Sequence, residues 1–185
     1  MSDARDKSTA PAPVTTYYLE MREPTALRPR RSERADLQLE PVEPPDPDLN
    51  RAFYCAVGRD WQWIDRLPWS LVQWSAYVLR PVLHTRLFRV QGEPAGYAEL
   101  EVGPAGDVEI VYFGMLPRFV GAGCGGYFLS ETVRAAWQLT TKRVWVHTCS
   151  LDHPAALQNY LARGFSQYRV EHKPDSATNA RTAAE

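Results

Sequence analysis

Cysteine is scarce in this sequence, and its three occurrences lie far apart. Cys55, Cys124 and Cys149 form no CxxC pair and no Cys/His cluster with the spacing of metal ligands. An odd and scattered set of thiols argues against both a disulfide framework and a zinc site. The four histidines are scattered as well, so we expect no metal centre.

An excess charge of either sign and long apolar runs are also lacking. The formal net charge of −1 argues against binding to nucleic acid or anionic lipid through charge alone. No window approaches the roughly 18 apolar residues that a membrane span needs. The N-terminal segment has no apolar stretch and does not resemble a secretory signal. We therefore expect a cytoplasmic protein without a membrane or nucleic-acid partner.

The length of 185 residues and the hydrophobic content of 44% suit one domain with a substantial core. Residues 1–14 and 173–185 are polar and rich in Pro, Ser or Ala, which predicts a disordered N-terminal tail and a flexible C-terminal one. The domain is predicted at 15–172. A homodimer is compatible with this composition.

The predicted elements indicate a mixed α/β, or α+β, domain. Short β-branched or alternating segments predict strands at 16–21, 37–42, 85–90, 95–102, 107–113, 142–149 and 164–170. Apolar periodicity and helix-start signals predict helices at 49–57, 70–79, 129–137 and 154–162. Asp46 or Asp48 is expected to cap the first helix.

Four glycines fall within six residues of the stretch LPRFVGAGCGGYFL, residues 116–129. Segment 107–147 predicts a βαβ crossover, which puts these glycines between the end of a strand and the start of a helix. A helix N-terminus offers unpaired N–H groups to an anion, and glycines let the anion approach closely. No GK[ST] follows, so the loop is not a P-loop. The spacing favours a diphosphate-binding loop and leaves a tight turn with close helix packing as the alternative.

Two linked motifs resemble the GNAT N-acetyltransferase superfamily. The run MxPxxVGAGCG, residues 115–125, is similar to that family's acyl-CoA loop, V-x-P-x-x-[QR]-G-x-G-x-G. The run HxxAxxxYxxxGF, residues 153–165, is similar to its second signature, N-x-x-A-x-x-x-Y-x-x-x-G-F. Both occur in the family's order, and together the resemblance covers roughly residues 85–170. It implies a GNAT-like fold, with a mostly antiparallel central sheet flanked by helices, and acetyl-CoA as co-substrate.

The cofactor contacts that the resemblance implies lie mainly in the glycine loop. They are Met115, Leu116, Val120, Gly121, Ala122, Gly123, Cys124, Gly125, Gly126 and His153. Val120 replaces the family's Gln or Arg, and Ala122 stands where many relatives carry a basic residue, which predicts weaker affinity. His153 replaces the usual Asn and either caps the short helix or touches pantetheine. The backbone donors are unaffected by these departures.

Acetyl transfer to an amine needs a proton acceptor for the amine and a proton donor for the departing thiolate. We predict Glu109 as the base, because a carboxylate is unusual in an apolar strand. The GPAG turn allows two registers, which put Leu100 or Glu99 opposite Glu109, and either neighbour favours proton uptake. A solvated edge glutamate is the alternative. The resemblance implies Tyr160 as the acid, with a core tyrosine as the alternative, and direct attack in a ternary complex without an acyl-enzyme.

The acceptor amine is predicted to bind at DWQWIDRLPW, residues 60–69. Its tryptophans provide aromatic walls, Arg66 suits a substrate carboxylate, and Glu99 attracts an ammonium group. The predicted contacts are Trp61, Trp63, Arg66, Trp69 and Glu99. Tryptophans that merely pack two short helices on the sheet are the alternative.

The sequence thus predicts an N-acetyltransferase that moves an acetyl group from acetyl-CoA to a small-molecule amine. Acetylation of a protein N-terminus or lysine is one alternative, which a flat acidic groove would favour and a closed aromatic pocket would oppose. A non-catalytic module that binds acyl-CoA is another, motivated by Val120 and opposed by the pair Glu109 and Tyr160.

Overall fold

The computed structural model describes residues 13–140 and 142–173. The strands are β1 Val14–Met21, β2 Leu37–Pro41, β3 Leu83–Val90, β4 Glu93–Val102, β5 Val108–Met115, β6 Val144–Cys149 and β7 Ser166–Lys173. The α-helices are α1 Pro47–Gly58, α2 Leu71–Val78, α3 Gly125–Trp137 and α4 Ala156–Ala162. Residues 1–12 of the predicted N-terminal tail and residues 174–185 of the predicted C-terminal tail lie outside the described residues.

The strands form one sheet in the order β2-β3-β4-β5-β6-β1-β7. Every neighbouring pair is antiparallel except β5 and β6, which run parallel. Parallel neighbours need a crossover connection, and α3 provides it, as the βαβ pattern of residues 107–147 predicted. The prediction of a mixed α/β domain with a mostly antiparallel sheet is confirmed.

The helices α1 and α2 both begin at side-chain caps. The Asp46 carboxylate accepts the N–H groups of Asp48 and Leu49, both at 3.0 Å, and Pro47 occupies the first turn of α1. Ser70 and Gln73 form a reciprocal capping box at α2. The Ser70 cap fixes the end of the segment between α1 and α2, which carries four aromatic or charged residues that border the cleft described below.

The two faces of the sheet carry different layers. On one face, α3 and α4 pack on β-strand residues such as Leu100, Ile110 and Val146. On the other face, α1 and α2 pack on Leu87, Tyr97 and their neighbours. Fully burying a large apolar side chain contributes about 1.5–3 kcal/mol, so both layers are held firmly. No helix of the described residues is long and apolar enough to cross a membrane.

The sheet opens between β5 and β6. The two strands pair only from Val108 to Ile110 on β5, against Val144 to Val146 on β6. Directly after Ile110, Val111 is the extra residue of a bulge, since Leu100 pairs with Ile110 and Glu99 with Tyr112. The pairing of β5 with β6 therefore ends where the bulge begins.

Neither predicted register of Glu109 is correct. The residue opposite it is Glu101, because the turn uses five residues and not four. The Gly103 N–H donates to the Asp107 carbonyl at 2.8 Å, which adds Asp107 to the GPAG loop and makes Val102 and Val108 the first pair of the hairpin.

Candidate active site

A cleft of about 960 Å³ lies where β5 and β6 separate. The last residues of both strands form two of its walls, and the glycine loop and α4 form a third. Trp63 and Asp65 border it on the α1/α2 side of the sheet, whereas Tyr160 borders it on the α3/α4 side. The cleft therefore passes through the sheet, so that two reactants can enter from opposite faces and meet between the strands.

The glycine loop takes backbone conformations that favour glycine. Gly121 and Gly123 have φ angles of 83° and 75°, in the left-handed region that L side chains rarely adopt. A Cβ added at either residue would meet no atom within 4 Å. Both residues also border the cleft, so the missing side chains leave room beside the backbone.

Unpaired backbone donors face this room. The first helical hydrogen bond of α3 runs from the Phe128 N–H to the Cys124 carbonyl, at 2.9 Å. The N–H groups of Gly125, Gly126 and Tyr127 therefore have no acceptor within the helix, and no side chain in the described part of the chain caps them. Together with the helix dipole, these donors suit an anion.

Two arginines that the sequence did not single out flank the same helix end. A side chain at Gly126 would overlap the guanidinium of Arg163 and touch Arg30. Burial, and then the charge of Arg30, lower the pKa of Arg163. Among the described residues no carboxylate pairs with either arginine, so their charges remain for an anionic ligand.

Tyr160 lies on the inner side of α4, packed against Phe113 and Phe165. It is only 6% exposed, yet it borders the cleft. Burial raises the pKa of its hydroxyl, and the charge of Asp152 raises it further. The phenol therefore keeps its proton at neutral pH and can donate it within the cleft.

Glu109 and His147 form a pair on the opposite side of the sheet. The Glu109 Oε1 atom lies 3.1 Å from the His147 Nδ1 atom. His147 borders the cleft, whereas Glu109 lies behind it. The hydrogen bond to the Glu109 carboxylate raises the pKa of His147 above its ordinary value, against the effect of burial. His147 was not predicted as a site residue, because residues 38 positions apart meet here only through the parallel β5–β6 pairing.

The aromatic segment between α1 and α2 forms the wall of the cleft on this side. Trp63 meets the ring of Tyr112 edge-on, with centroids 4.6 Å apart. The Asp65 carboxylate is 65% exposed and accepts the hydroxyls of Tyr54 at 2.6 Å and Tyr112 at 3.0 Å. Across the cleft, Trp61 meets the ring of His153 at 4.9 Å. The wall combines aromatic surface with a carboxylate that can hold a cationic group.

Solved structures with a similar fold can be compared with this chain, although no family model and no curated protein matches it. A GCN5-related N-acetyltransferase from Kribbella flavida superposes with a TM-score of 0.63 at 17% identity, over 90% of this chain and 60% of its own. Another from Sphaerobacter thermophilus gives 0.64 at 15% identity, over 88% and 51%. The chain has the GNAT fold.

A smaller GNAT-fold protein, the ribosomal-protein-S18-alanine N-acetyltransferase from Escherichia coli, gives a TM-score of 0.56 at 14% identity, over 72% of this chain and 79% of its own. The first two structures are longer proteins, of which this chain spans only 60% and 51%. Similarity at these identities establishes the fold and leaves the activity to be argued from the site.

Most of the cofactor contacts expected from the GNAT resemblance border the cleft. These are Met115, Val120, Gly121, Gly123, Gly125, Gly126 and His153. His153 also caps the turn before α4, since its Nδ1 atom accepts the Ala155 N–H at 3.0 Å. Leu116, Ala122 and Cys124 do not border the cleft. The Leu116 N–H already donates to Ala95 at 2.8 Å, and the Cys124 side chain is buried under α3.

Of the predicted substrate contacts, Trp61 and Trp63 border the cleft, but Glu99 does not. Glu99 is fully buried and accepts hydrogen bonds from Asn50 at 2.8 Å, Tyr77 at 2.7 Å and Arg66 at 3.1 Å. An ammonium substrate cannot reach it without breaking these bonds. Glu99 is therefore reassigned to the core that supports the cleft wall.

Arg66 and Trp69 also belong to the packed layer that supports the cleft wall. Arg66 is 7% exposed, and although it borders the cleft, its guanidinium is held by Glu99 and lies over the rings of Tyr77 at 3.8 Å and Tyr112 at 4.5 Å. A substrate carboxylate would have to compete with that buried ion pair. Trp69 packs against Arg66 and lies away from the cleft.

Adding a methyl group at Gly123 is expected to weaken CoA binding at least 10-fold, because its Cβ would occupy the space beside the backbone donors. Gly92 provides the matched control: its φ of 77° is nearly that of Gly123, and it too has no atom within 4 Å of a Cβ. Both Ala variants incur about 1–2 kcal/mol of left-handed strain. Titration with CoA should separate them, and equal losses of affinity would contradict the loop assignment.

Proposed function

We propose that this protein is an acetyl-CoA-dependent N-acetyltransferase that acts on the amine of a small molecule. The observation that carries the proposal is the cleft through the sheet. It brings together the free N–H groups at the start of α3, the protonated phenol of Tyr160 and the Glu109–His147 pair. No one of these features is specific alone, but acetyl transfer needs all three functions in one place.

The residues of the glycine loop fit a CoA diphosphate. The donors are backbone N–H groups, so the replacement of Gln or Arg by Val120 and of a basic residue by Ala122 leaves them in place. Arg30 and Arg163 supply the positive charge that those two positions lack. Neither arginine borders the cleft itself, but both lie beside Gly126, which does, and charge-assisted hydrogen bonds from them to phosphate oxygens would add to the backbone donors.

The proposed proton acceptor and proton donor lie on opposite sides of the sheet. The amine enters from the α1/α2 side, where the Glu109–His147 pair removes one proton from its ammonium form. The free nitrogen then attacks the acetyl carbonyl directly, with no covalent enzyme intermediate. Tyr160, on the α3/α4 side, gives its proton to the departing sulfur. Cys124 is buried and lies outside the cleft, which supports direct attack over a thiol nucleophile.

The wall of the cleft supports a small acceptor. The contact between Trp61 and His153 narrows the cleft on one side, and Trp63 and Tyr112 give it an aromatic lining beside the Asp65 carboxylate. A compact cationic amine with apolar surface matches this environment, since a cation is attracted to both ring faces and the carboxylate. Acetylation of a protein N-terminus is the second candidate, because one structural neighbour is an acetyltransferase of ribosomal protein S18 alanine.

The test is release of CoA thiol from acetyl-CoA with a panel of acceptors. The panel holds phenethylamine, tryptamine, spermidine and a short peptide with a free N-terminal alanine. We expect turnover with one or more of the small amines that exceeds the rate with the peptide. Faster turnover with the peptide would favour the second candidate. No turnover with any acceptor, in a protein that binds acetyl-CoA, would favour a binding module.

A further inference from the structure

The imidazole of His147 occupies a special place in the sheet. Val146, immediately before it, is the last residue of β6 that pairs with β5. His147 is thus the first side chain beyond the point where the strands separate, and it points to the side opposite the core residue Val146. This is the α1/α2 side, from which the acceptor enters in the proposed function.

The hydrogen-bond partner of the imidazole determines which ring nitrogen is available to accept a proton. An ionised carboxylate can only accept a hydrogen bond, so the 3.1 Å contact to Glu109 puts the ring proton on the Nδ1 atom of His147. In the neutral ring the Nε2 atom then carries the lone pair. Glu109 is set back from the cleft, whereas the His147 side chain borders it and is 45% exposed.

We infer that His147 is the catalytic residue that takes the proton from the acceptor ammonium at its Nε2 atom, and that Glu109 is its positioning residue. The inference rests on the proposed function and refines its prediction of Glu109 as the base. The carboxylate of Glu109, only 22% exposed, holds the ring in one tautomer and stabilises the imidazolium that forms. The same arrangement explains why a carboxylate occurs in the apolar strand β5.

The proton balance of the step is complete. The ammonium loses one proton to His147, which returns it to solvent. The nitrogen then bonds the acetyl carbon, the carbon–sulfur bond breaks, and Tyr160 gives the sulfur one proton. The nitrogen loses its second proton as the amide forms, and that proton restores the phenol of Tyr160. One proton is released overall.

The groups around the imidazole favour its charged form. Glu109 faces it from β5, and Asp152 and Asp65 approach from the turn after β6 and from the wall of the cleft. Tyr18 of β1 lies beside the ring, with centroids 5.9 Å apart. The hydrogen bond that His147 donates to Glu109 is the largest cause of its raised pKa. Because only the neutral ring can accept a proton, kcat/KM should rise with pH through a pKa above the ordinary value of about 6.5.

Two variants test the assignment, with the most active amine of the panel as acceptor. H147Q should lower kcat/KM at pH 7 about 100-fold and remove the acidic limb of the pH profile. E109Q keeps an acceptor oxygen for the Nδ1 proton but removes the charge. It should therefore shift the limb to lower pH and lower the plateau about 10-fold. H172Q is the control, since His172 bonds Thr15 at 3.0 Å on an exposed part of β7 and β1, and no other side-chain partner of it lies within residues 13–140 and 142–173.

A second readout does not depend on turnover. In NMR titration without acetyl-CoA, the pKa of the His147 ring should lie above the ordinary value of about 6.5 in the parent protein and lower in E109Q than in the parent. Calorimetry should give the same affinity for CoA in all variants. An unchanged acidic limb in H147Q, or an unchanged His147 titration in E109Q, would overturn the inference and leave the proposed function intact. Absence of turnover in the parent would overturn the function itself.

Discussion

Replacement of Tyr160 by Phe should lower kcat at least 100-fold and leave the affinity for CoA unchanged. The variant removes only the hydroxyl, and general acid catalysis contributes about 10²–10⁴-fold to a rate. The ring of Tyr160 packs against Phe113 and Phe165, so the Phe ring keeps the core filled. Turnover is measured by thiol release and affinity by calorimetric titration with CoA.

The control for this variant is Tyr168→Phe, which removes a hydroxyl from an exposed residue of β7 outside the cleft. This variant should change neither kcat nor the affinity for CoA. If Tyr160→Phe retained full turnover, Tyr160 would be a core residue and not the acid. A loss of CoA affinity in parallel with turnover would indicate that the hydroxyl binds the co-substrate and does not donate a proton.

Replacement of Arg66 by Met should lower the free energy of unfolding by about 3–5 kcal/mol, because it leaves the Glu99 carboxylate buried without its cation. Burial opposes the charge of Arg66, but Glu99, Tyr77 and Tyr112 outweigh it and raise the pKa of the guanidinium. The network joins β4 to α1 through Asn50 and to α2 through Tyr77. Denaturant unfolding measures the change.

The matched control is Arg80→Met. Arg80 also pairs with a glutamate of β4, at 3.0 and 2.8 Å to Glu101, but both side chains are about one third exposed, at 35% and 29%. Its loss should cost no more than about 1 kcal/mol. The double variant Arg66→Met, Glu99→Gln should recover part of the loss, because no uncompensated charge remains. Equal costs for Arg66 and Arg80 would contradict a buried network.

The elements of the fold were predictable because local signals mark their ends. Asp46 and Ser70 begin their helices as the sequence indicated. The glycine loop and Tyr160 were found through two motifs whose spacing is local, and both border the cleft. A residue whose partners lie close to it in the sequence can be recognised from a single stretch of that sequence.

The pairs that form between distant elements were not predictable in this way. The Glu109–His147 contact joins residues 38 positions apart and depends on the pairing of β5 with β6. The Arg66–Glu99 contact joins residues 33 positions apart and depends on how the segment between α1 and α2 packs on β4. One extra turn residue, Asp107, was enough to invalidate both predicted registers. The exposure of Glu99 was misjudged because its partners come from α1, α2 and the segment between them. Arg30 meets Arg163 only where the chain before β2 passes α3.

The most direct test of the proposed acyl-CoA site is calorimetric titration of the purified protein with acetyl-CoA, with free CoA and NADH as comparison ligands. We expect micromolar binding of both CoA species and no binding of NADH. NADH also carries a diphosphate for the free N–H groups of α3 and the two arginines, but it lacks the pantetheine arm that occupies the cleft. Absence of binding to acetyl-CoA and CoA would contradict the proposed site. The glycine loop would then be a turn on an inherited fold.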